Sequence, residues 1–518
     1  MERAKKLLIV GGGAASVSIV RSLVMDILPQ QPMKLPLEIE IVEPRSEIGP
    51  GVAFSSTLES SRLNMPVRTM SITPKDSLHF ADWLNSKFPH RNTNDRYLPR
   101  AFFGRYLSED FKSSITLAAR LGVSITTFKS ECLELKRKGS RWHALLRNGE
   151  RLGGDYLILA IGNQLPAAYP ELVHTYPEIY MNDPWSDGKI LAQVSRNDSI
   201  LILGTGLTGI DVALTLLEHG HKGKVVLVSR SGRLPRVRPR SYEQQSKVFY
   251  SLSNLRELLR KGRVGVVSVE DIFEAIKRDT AGAGLDDNSL FAEQDSLPVL
   301  PQLMQDIDFA DRPDHWHAVI NQSDRLLCAL WPGISCKERV RFLHSLYGLW
   351  AIYRHPMPLI NANRLTKHLT SGALEVKALP PNSAPVVVNK KILIDIDGSK
   401  CSPPSEFDKL IDATGPNMMI GPHSSSLLRN LARDGLVKPD PCAGLSVDFD
   451  SSKVISNSGA IDNSFYAVGQ ITRGTHFYTN SMESIVHKAH QIAKQIASKI
   501  GVSSAECTYR AKANEIVT

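Results

Sequence analysis

Cysteine is scarce in this chain and poorly placed for redox work. The six thiols (Cys132, Cys328, Cys336, Cys401, Cys442, Cys507) include no Cys-x-x-Cys pair and no metal-like spacing. That pattern argues against a redox dithiol and fits reduced thiols in a cytoplasmic protein. No apolar run approaches the roughly 18–20 residues of a membrane helix, so no membrane partner is expected. Met1–Lys6 followed by Leu7–Val10 imitates a signal peptide, but its apolar stretch is too short and runs into glycines, so it reads as a first strand. A G-x-S-x-G elbow is also missing, which leaves hydrolase chemistry without a foothold. His315 and His317 flank Trp316 with no third ligand in sight, so no metal is expected. The net charge of +9 is modest for 518 residues. Without a recognisable module it gives no reason to expect nucleic acid as a partner.

What the chain does contain is ordinary globular material, 42% hydrophobic and 22% charged, enough for two or three domains with full cores. Two glycine-rich turns stand out, each after an apolar run. Leu7–Val10 leads into Gly11-Gly12-Gly13-Ala14-Ala15-Ser16, and Ile200–Leu203 leads into Gly204-Thr205-Gly206-Leu207-Thr208-Gly209. A strand feeding such a turn and then a helix offers free backbone N–H groups and the positive end of a helix dipole to a pyrophosphate. Two of them in one chain predict two dinucleotides, most simply a flavin and a nicotinamide.

The expected fold is α/β, with two Rossmann-like dinucleotide-binding domains (FAD and NADPH), the first discontinuous, and a mostly helical insertion. Residues 1–165 would form the first part of the FAD domain and 166–404 the NADPH domain, with the insertion at about 241–370. Residues 405–505 would return to the FAD domain, and 506–518 would be a tail. Strands are expected at 37–43, 124–128, 142–146, 156–160, 224–228, 386–388, 392–396, 410–412 and 464–468, with helices at 101–121 and 481–500.

In the first turn, Gly11 permits the bend and Gly13 lets backbone approach the pyrophosphate, while Ser16 stands in place of the third glycine. Glu43, ending the next strand, is placed to accept hydrogen bonds from an unphosphorylated ribose, as in FAD. The second turn has all three glycines, Gly204, Gly206 and Gly209, but its matching strand ends in Ser229-Arg230-Ser231-Gly232-Arg233. Arginine and serine suit a 2′-phosphate, which favours NADPH, with Arg230 first and Arg233 second. These two belong to five arginines within residues 230–240, a run that also reads as a solvated loop. Gly415, after Asp412-Ala413-Thr414, and Gly469, after Ala467-Val468, each end a strand where backbone would approach a cofactor. Gly51–Phe54 and Leu63–Pro66, including Met65, would lie near a flavin ring.

Several segments together resemble a known family. Gly49–Phe54, Arg62–Pro66, Tyr97–Arg100 with Phe103–Leu107, Asp412–Gly415 and Val468–Gly474 are similar to the bacterial FAD/NAD(P)-binding proteins of the YdhS-like type. That family is distantly similar to the single-component flavin monooxygenases, which include amine N-hydroxylases and Baeyer–Villiger enzymes. The resemblance implies FAD at Gly11, Gly13, Glu43 and the 64–66 loop, and NADPH at Gly204–Gly209 and Arg230. The Baeyer–Villiger fingerprint is not reproduced in residues 162–185, where His174 and Trp185 lack their companions. Heteroatom hydroxylation is therefore the better expectation.

The function so expected is NADPH-driven hydroxylation of a small molecule, at nitrogen first, by oxygen activated as a flavin hydroperoxide. The flavin carries such chemistry and the protein orients and excludes water, so no catalytic dyad is required. Asn64, Arg100 and Gln470 are the candidates near the ring, and His476 the candidate to meet substrate. Arg354 and His355, in the insertion, are expected to contribute substrate contacts. A flavin dehydrogenase without oxygen insertion, and a nucleotide sensor without turnover, are the alternatives. Oligomeric state leaves no sequence signal.

Overall fold

The computed structural model describes the chain apart from residues 1–2, 31–35, 57, 90–96, 241–250, 252, 255–256, 258–266, 283–296, 312–316, 318–319, 321–326, 399–402 and 502–518. His315, Trp316 and the 506–518 tail therefore lie outside the described residues. Among those described, no helix is long and apolar enough to cross a membrane, and no group of His, Cys, Asp and Glu is arranged to hold a metal.

Leu7 to Val10 are continuously apolar because the Lys5–Val10 strand is central in its sheet and covered on both faces. That six-stranded sheet runs Lys453–Ile455, Ile461–Ala467, Tyr156–Leu159, Lys5–Val10, Leu37–Val42, Val123–Phe128, parallel except at its first pair. The second sheet is all parallel: Leu374–Ala378, Val225–Ser229, Ile200–Leu203, Lys409–Asp412, Tyr180–Met181. Mixed α/β architecture around two parallel sheets is thus the observed fold class.

Both sheets are built to one plan. A glycine turn and helix (Ala14–Arg21, Leu207–Glu218) join the first strand to the second. A long segment carrying helices follows, then the third strand. A three-stranded antiparallel meander comes next: Cys132–Lys138, Arg141–Leu146 and Arg151–Gly154 in one unit, Val386–Val388, Lys391–Ile394 and Ser405–Phe407 in the other. The fourth strand then returns beside the first. The helices of the second long segment include Val269–Gly282, Val299–Phe309, Tyr347–Arg354 and Leu359–Thr370.

One expected boundary moves. Lys409–Asp412 pairs with Ile200–Leu203 and so belongs to the second sheet, not to the returning part of the first. The crossing lies at Ala413–Gly415, beyond residue 405, and Asp412 fastens it. Its buried carboxylate accepts from the Ala168 N–H (2.9 Å) and Tyr180 hydroxyl (2.5 Å) on the outbound chain, and from the Thr414 N–H (3.1 Å) and hydroxyl (2.6 Å) on the return. After the crossing, the Met482–Lys499 helix buries Val486, Ala489, Ile492, Ala493 and Ile496 at helical spacing against the Ala14–Arg21 helix.

Candidate functional site

Parallel pairing aligns the carboxyl ends of four strands in the first sheet. Val42, Val10, Leu159 and Ala467 form one register row, so Glu43, Gly11, Ala160 and Val468 stand side by side just beyond it. Ligands of open α/β sheets bind outside that edge. Gly11 has φ +102°, and a Cβ there would sit 2.2 Å from the Ala160 carbonyl oxygen, so only glycine fits. Gly13 caps the Ala14–Arg21 helix without a side-chain cap bond, and a Cβ on it would meet only Gly51, at 3.7 Å. The helix N-terminus therefore faces an open cradle whose far wall is the 49–54 loop, held by the Gly49 N–H on the Gly12 carbonyl (2.7 Å).

Glu43 is buried at this edge. One carboxylate oxygen accepts the Gly12 N–H (2.8 Å), and the other accepts the Arg45 N–H (3.0 Å) and guanidinium (3.1 Å). Arg45, which carries no sequence signal, thus orients the acid. Ser16 is fully buried with its hydroxyl on the Gly11 carbonyl, so it closes the turn from within and does not face the cradle.

The second turn repeats this division of labour. Gly204 has φ +108° and its Cβ would lie 2.4 Å from the Ala413 carbonyl. Gly209 is pressed on Gly204, at 2.0 Å, while Gly206 has no neighbour within 4 Å and caps its helix without a side chain. Gly415 (φ +101°) and Gly469 (φ +87°) also have open space where a Cβ would stand, each just past the carboxyl end of a strand.

The arginine run is not a solvated loop. Arg230 and Arg240 are exposed, but Arg233, Arg236 and Arg238 are 8%, 5% and 1% exposed. Arg236 pairs with Asp306 at 3.0 Å, and the Arg233 carbonyl receives the Thr205 hydroxyl at 2.5 Å, tying this loop to the glycine turn. Beside it lies a cavity of about 350 Å³ lined by Ser231, Arg233, Arg236, Gln302 and Val376, at the carboxyl end of the Val225–Ser229 strand. Arg230, exposed at the start of this loop, donates to the His344 carbonyl at 3.1 Å.

The two units meet where the 64–66 loop, the arginine loop, the Tyr347–Arg354 helix and the turn after Gly469 converge. An Arg238 N–H contacts the Met65 sulfur at 3.5 Å. Half-buried Asn64 makes no hydrogen bond among the described residues, so its amide is available. Gln470 accepts from the Thr479 hydroxyl at 3.0 Å. His355 stacks on Tyr478 (5.9 Å between centroids) and lies 3.3 Å from the Tyr347 hydroxyl. Lost hydration, then repulsion from Arg354, Arg473 and Arg238, holds it well below the usual imidazole range. Phe477 adopts φ +58°, uncommon for an aromatic residue, and stacks on Trp331 at 4.5 Å.

Two expected residues take other work. Arg100 lies 3.0 Å from Asp211 on the Leu207–Glu218 helix, so it latches one unit to the other. Burial pushes Asp211 up to about 6 despite that partner. His476 is 6% exposed with both ring nitrogens engaged, by the Thr472 hydroxyl (3.1 Å) and the Phe449 carbonyl (2.9 Å). It fastens the turn, and no nitrogen is left for substrate.

No curated protein matches the chain in sequence. The FAD-NAD(P)-binding family matches residues 8–164, which contain the first glycine turn, Glu43 and the loop at 64–66. Among solved structures, the ornithine hydroxylase of Pseudomonas aeruginosa is similar over 96% of this chain and 99% of its own, at 12% identity and a TM-score of 0.57. The ornithine N-hydroxylase of a Kutzneria species covers the same shares at 12% identity and a TM-score of 0.55. The cadaverine monooxygenase of Erwinia amylovora is similar over 96% of this chain and 95% of its own, at 13% identity and a TM-score of 0.51. The fold is that of the two-domain flavoproteins that bind FAD and NADPH.

Proposed function

We propose that this chain is an FAD-dependent, NADPH-using monooxygenase that hydroxylates a heteroatom, nitrogen first, of a small molecule. The observation that carries this reading is the pair of equivalent glycine cradles, both open, whose units meet at a junction lined by loops neither cradle requires. Gly11, Gly13, Glu43, Gly51 and Gly469 would hold FAD, with Met65 beside the ring. Gly204, Gly206, Gly209, Gly415 and Arg230 would hold NADPH, with the cavity beside Arg233 for its adenosine. When bound, the flavin accepts a hydride from the nicotinamide and activates oxygen. The chain's own part is to orient and to keep water out: Asn64 offers an amide to the ring or substrate, and Trp350, Phe477 and Tyr478 wall the junction.

The similar structures hydroxylate ornithine or oxidise cadaverine, which supports nitrogen as the acceptor atom. The test is oxygen uptake with NADPH over a panel of amines and amino acids, with hydroxylamine assayed as product. Oxygen consumption matched by hydroxylamine is expected. Reduction of an artificial acceptor with peroxide as the sole oxygen product would replace this reading by a dehydrogenase.

A further inference from the structure

Arg473 has no part in either cradle. It opens the short turn after Gly469, half-buried, with its guanidinium carbon 4.0 Å from the ring centre of Tyr347. No carboxylate lies within ion-pair reach of it among the described residues. Around it, Arg354 lies over the ring of Tyr478 at 4.6 Å, and Arg238 reaches the Met65 sulfur. The charged groups that act on His355 at the centre are all guanidiniums: Arg354 from its own helix, Arg473 from the C-terminal turn, Arg238 from the arginine loop. The remaining walls are flat rings, Tyr347, Trp350 and Tyr478. The Tyr347 ring holds the Arg473 guanidinium in place without neutralising it, leaving its planar N–H fork to an oxyanion.

We propose that this junction receives an anionic group of the substrate, a carboxylate or comparable oxyanion, with Arg473 as its principal ligand and Tyr347 and Tyr478 as flanking walls. The proposal rests on the reading that a small molecule is oxidised here, and it narrows that molecule: a simple diamine, cationic at both ends, is a poor substrate. The same chemistry could serve a phosphate of the nicotinamide nucleotide, so the test separates the two.

Calorimetric titration of the flavin-loaded protein with benzoate, benzamide and benzylamine compares three probes of similar shape and charge −1, 0 and +1. Benzoate is expected to bind at least tenfold more tightly than either other probe. Arg473→Gln should erase that preference and Arg473→Lys restore part of it, with flavin content reporting that each variant folds. Equal binding of benzoate and benzamide, no saturable binding of any probe, or an intact preference in Arg473→Gln would overturn the proposal. A tenfold rise in the KM for NADPH in flavin reduction without added substrate would overturn it too, assigning the guanidinium to the nucleotide. Preserved benzoate selectivity in a protein that inserts no oxygen would sink the monooxygenase reading and leave the anion site standing.

Discussion

At the scale of single residues, glycines at neighbouring positions do unlike jobs, and substitution separates them. Gly209 has backbone 2.0 Å from where a methyl would sit, whereas Gly206 has nothing within 4 Å and an ordinary φ of −75°. Gly209→Ala should cost about 3 kcal/mol or more, or prevent folding, by overpacking. Gly206→Ala should stay within about 1 kcal/mol of wild type in a thermal melt, yet raise the KM for NADPH at least tenfold, because its methyl occupies the cradle. Arg230→Ala should raise the KM for NADPH far more than that for NADH. Equal effects in steady-state kinetics would remove the 2′-phosphate from its role. His476 gives a pH signature. Burial first, then Lys488, lowers it from 6.5 to about 4 in the fold. Its neutral form therefore contributes stability that is present above pH 6.5 and is lost as pH falls through 4, about 3 kcal/mol at 1.36 kcal/mol per unit. Urea unfolding at pH 7 and pH 4 should show His476→Gln losing less stability on acidification than wild type does.

At the scale of elements, the crossing between units depends on one carboxylate. Asp412 receives four hydrogen bonds from two chain segments that share no other covalent neighbourhood, and it is wholly buried. Asp412→Ala strands the Ala168 and Thr414 N–H groups and the Tyr180 hydroxyl together, a loss of about 3 kcal/mol or more in denaturant midpoint. Here sequence and structure part company in an instructive way. The glycine turns are local objects, and their strands and helices were readable from contiguous apolar runs. The Leu374–Ala378 strand lies at the sheet edge, with one fully buried residue, so its short mixed pattern carried no strand signal. Arg236 looked solvated because its partner, Asp306, is remote in sequence and only the folded chain pairs them. His476 and Arg100 looked available for chemistry for the same reason: Phe449 and Asp211 satisfy them from distant segments. Arg473 lies within the Val468–Gly474 segment that carries the resemblance, but nothing local marks it as a ligand, since its surroundings come from the insertion and the arginine loop.

At the scale of the molecule, the repeated plan makes each cradle separately breakable. Both consist of a first strand, a glycine turn and a returning fourth strand whose next residue, Ala160 or Ala413, offers its carbonyl to the turn. If the first holds the flavin and the second the nicotinamide, bulk in each must produce a different failure. Gly13→Val projects into space bounded only by Gly51 and should yield colourless protein, while leaving the second cradle able to bind NADPH in calorimetry. Gly206→Val should remain yellow, be bleached by dithionite, and resist reduction by NADPH. The absorption spectrum of each purified variant reads the outcome directly. A yellow Gly13→Val protein, or a colourless Gly206→Val protein that still folds, would mean that the two nucleotides are held otherwise.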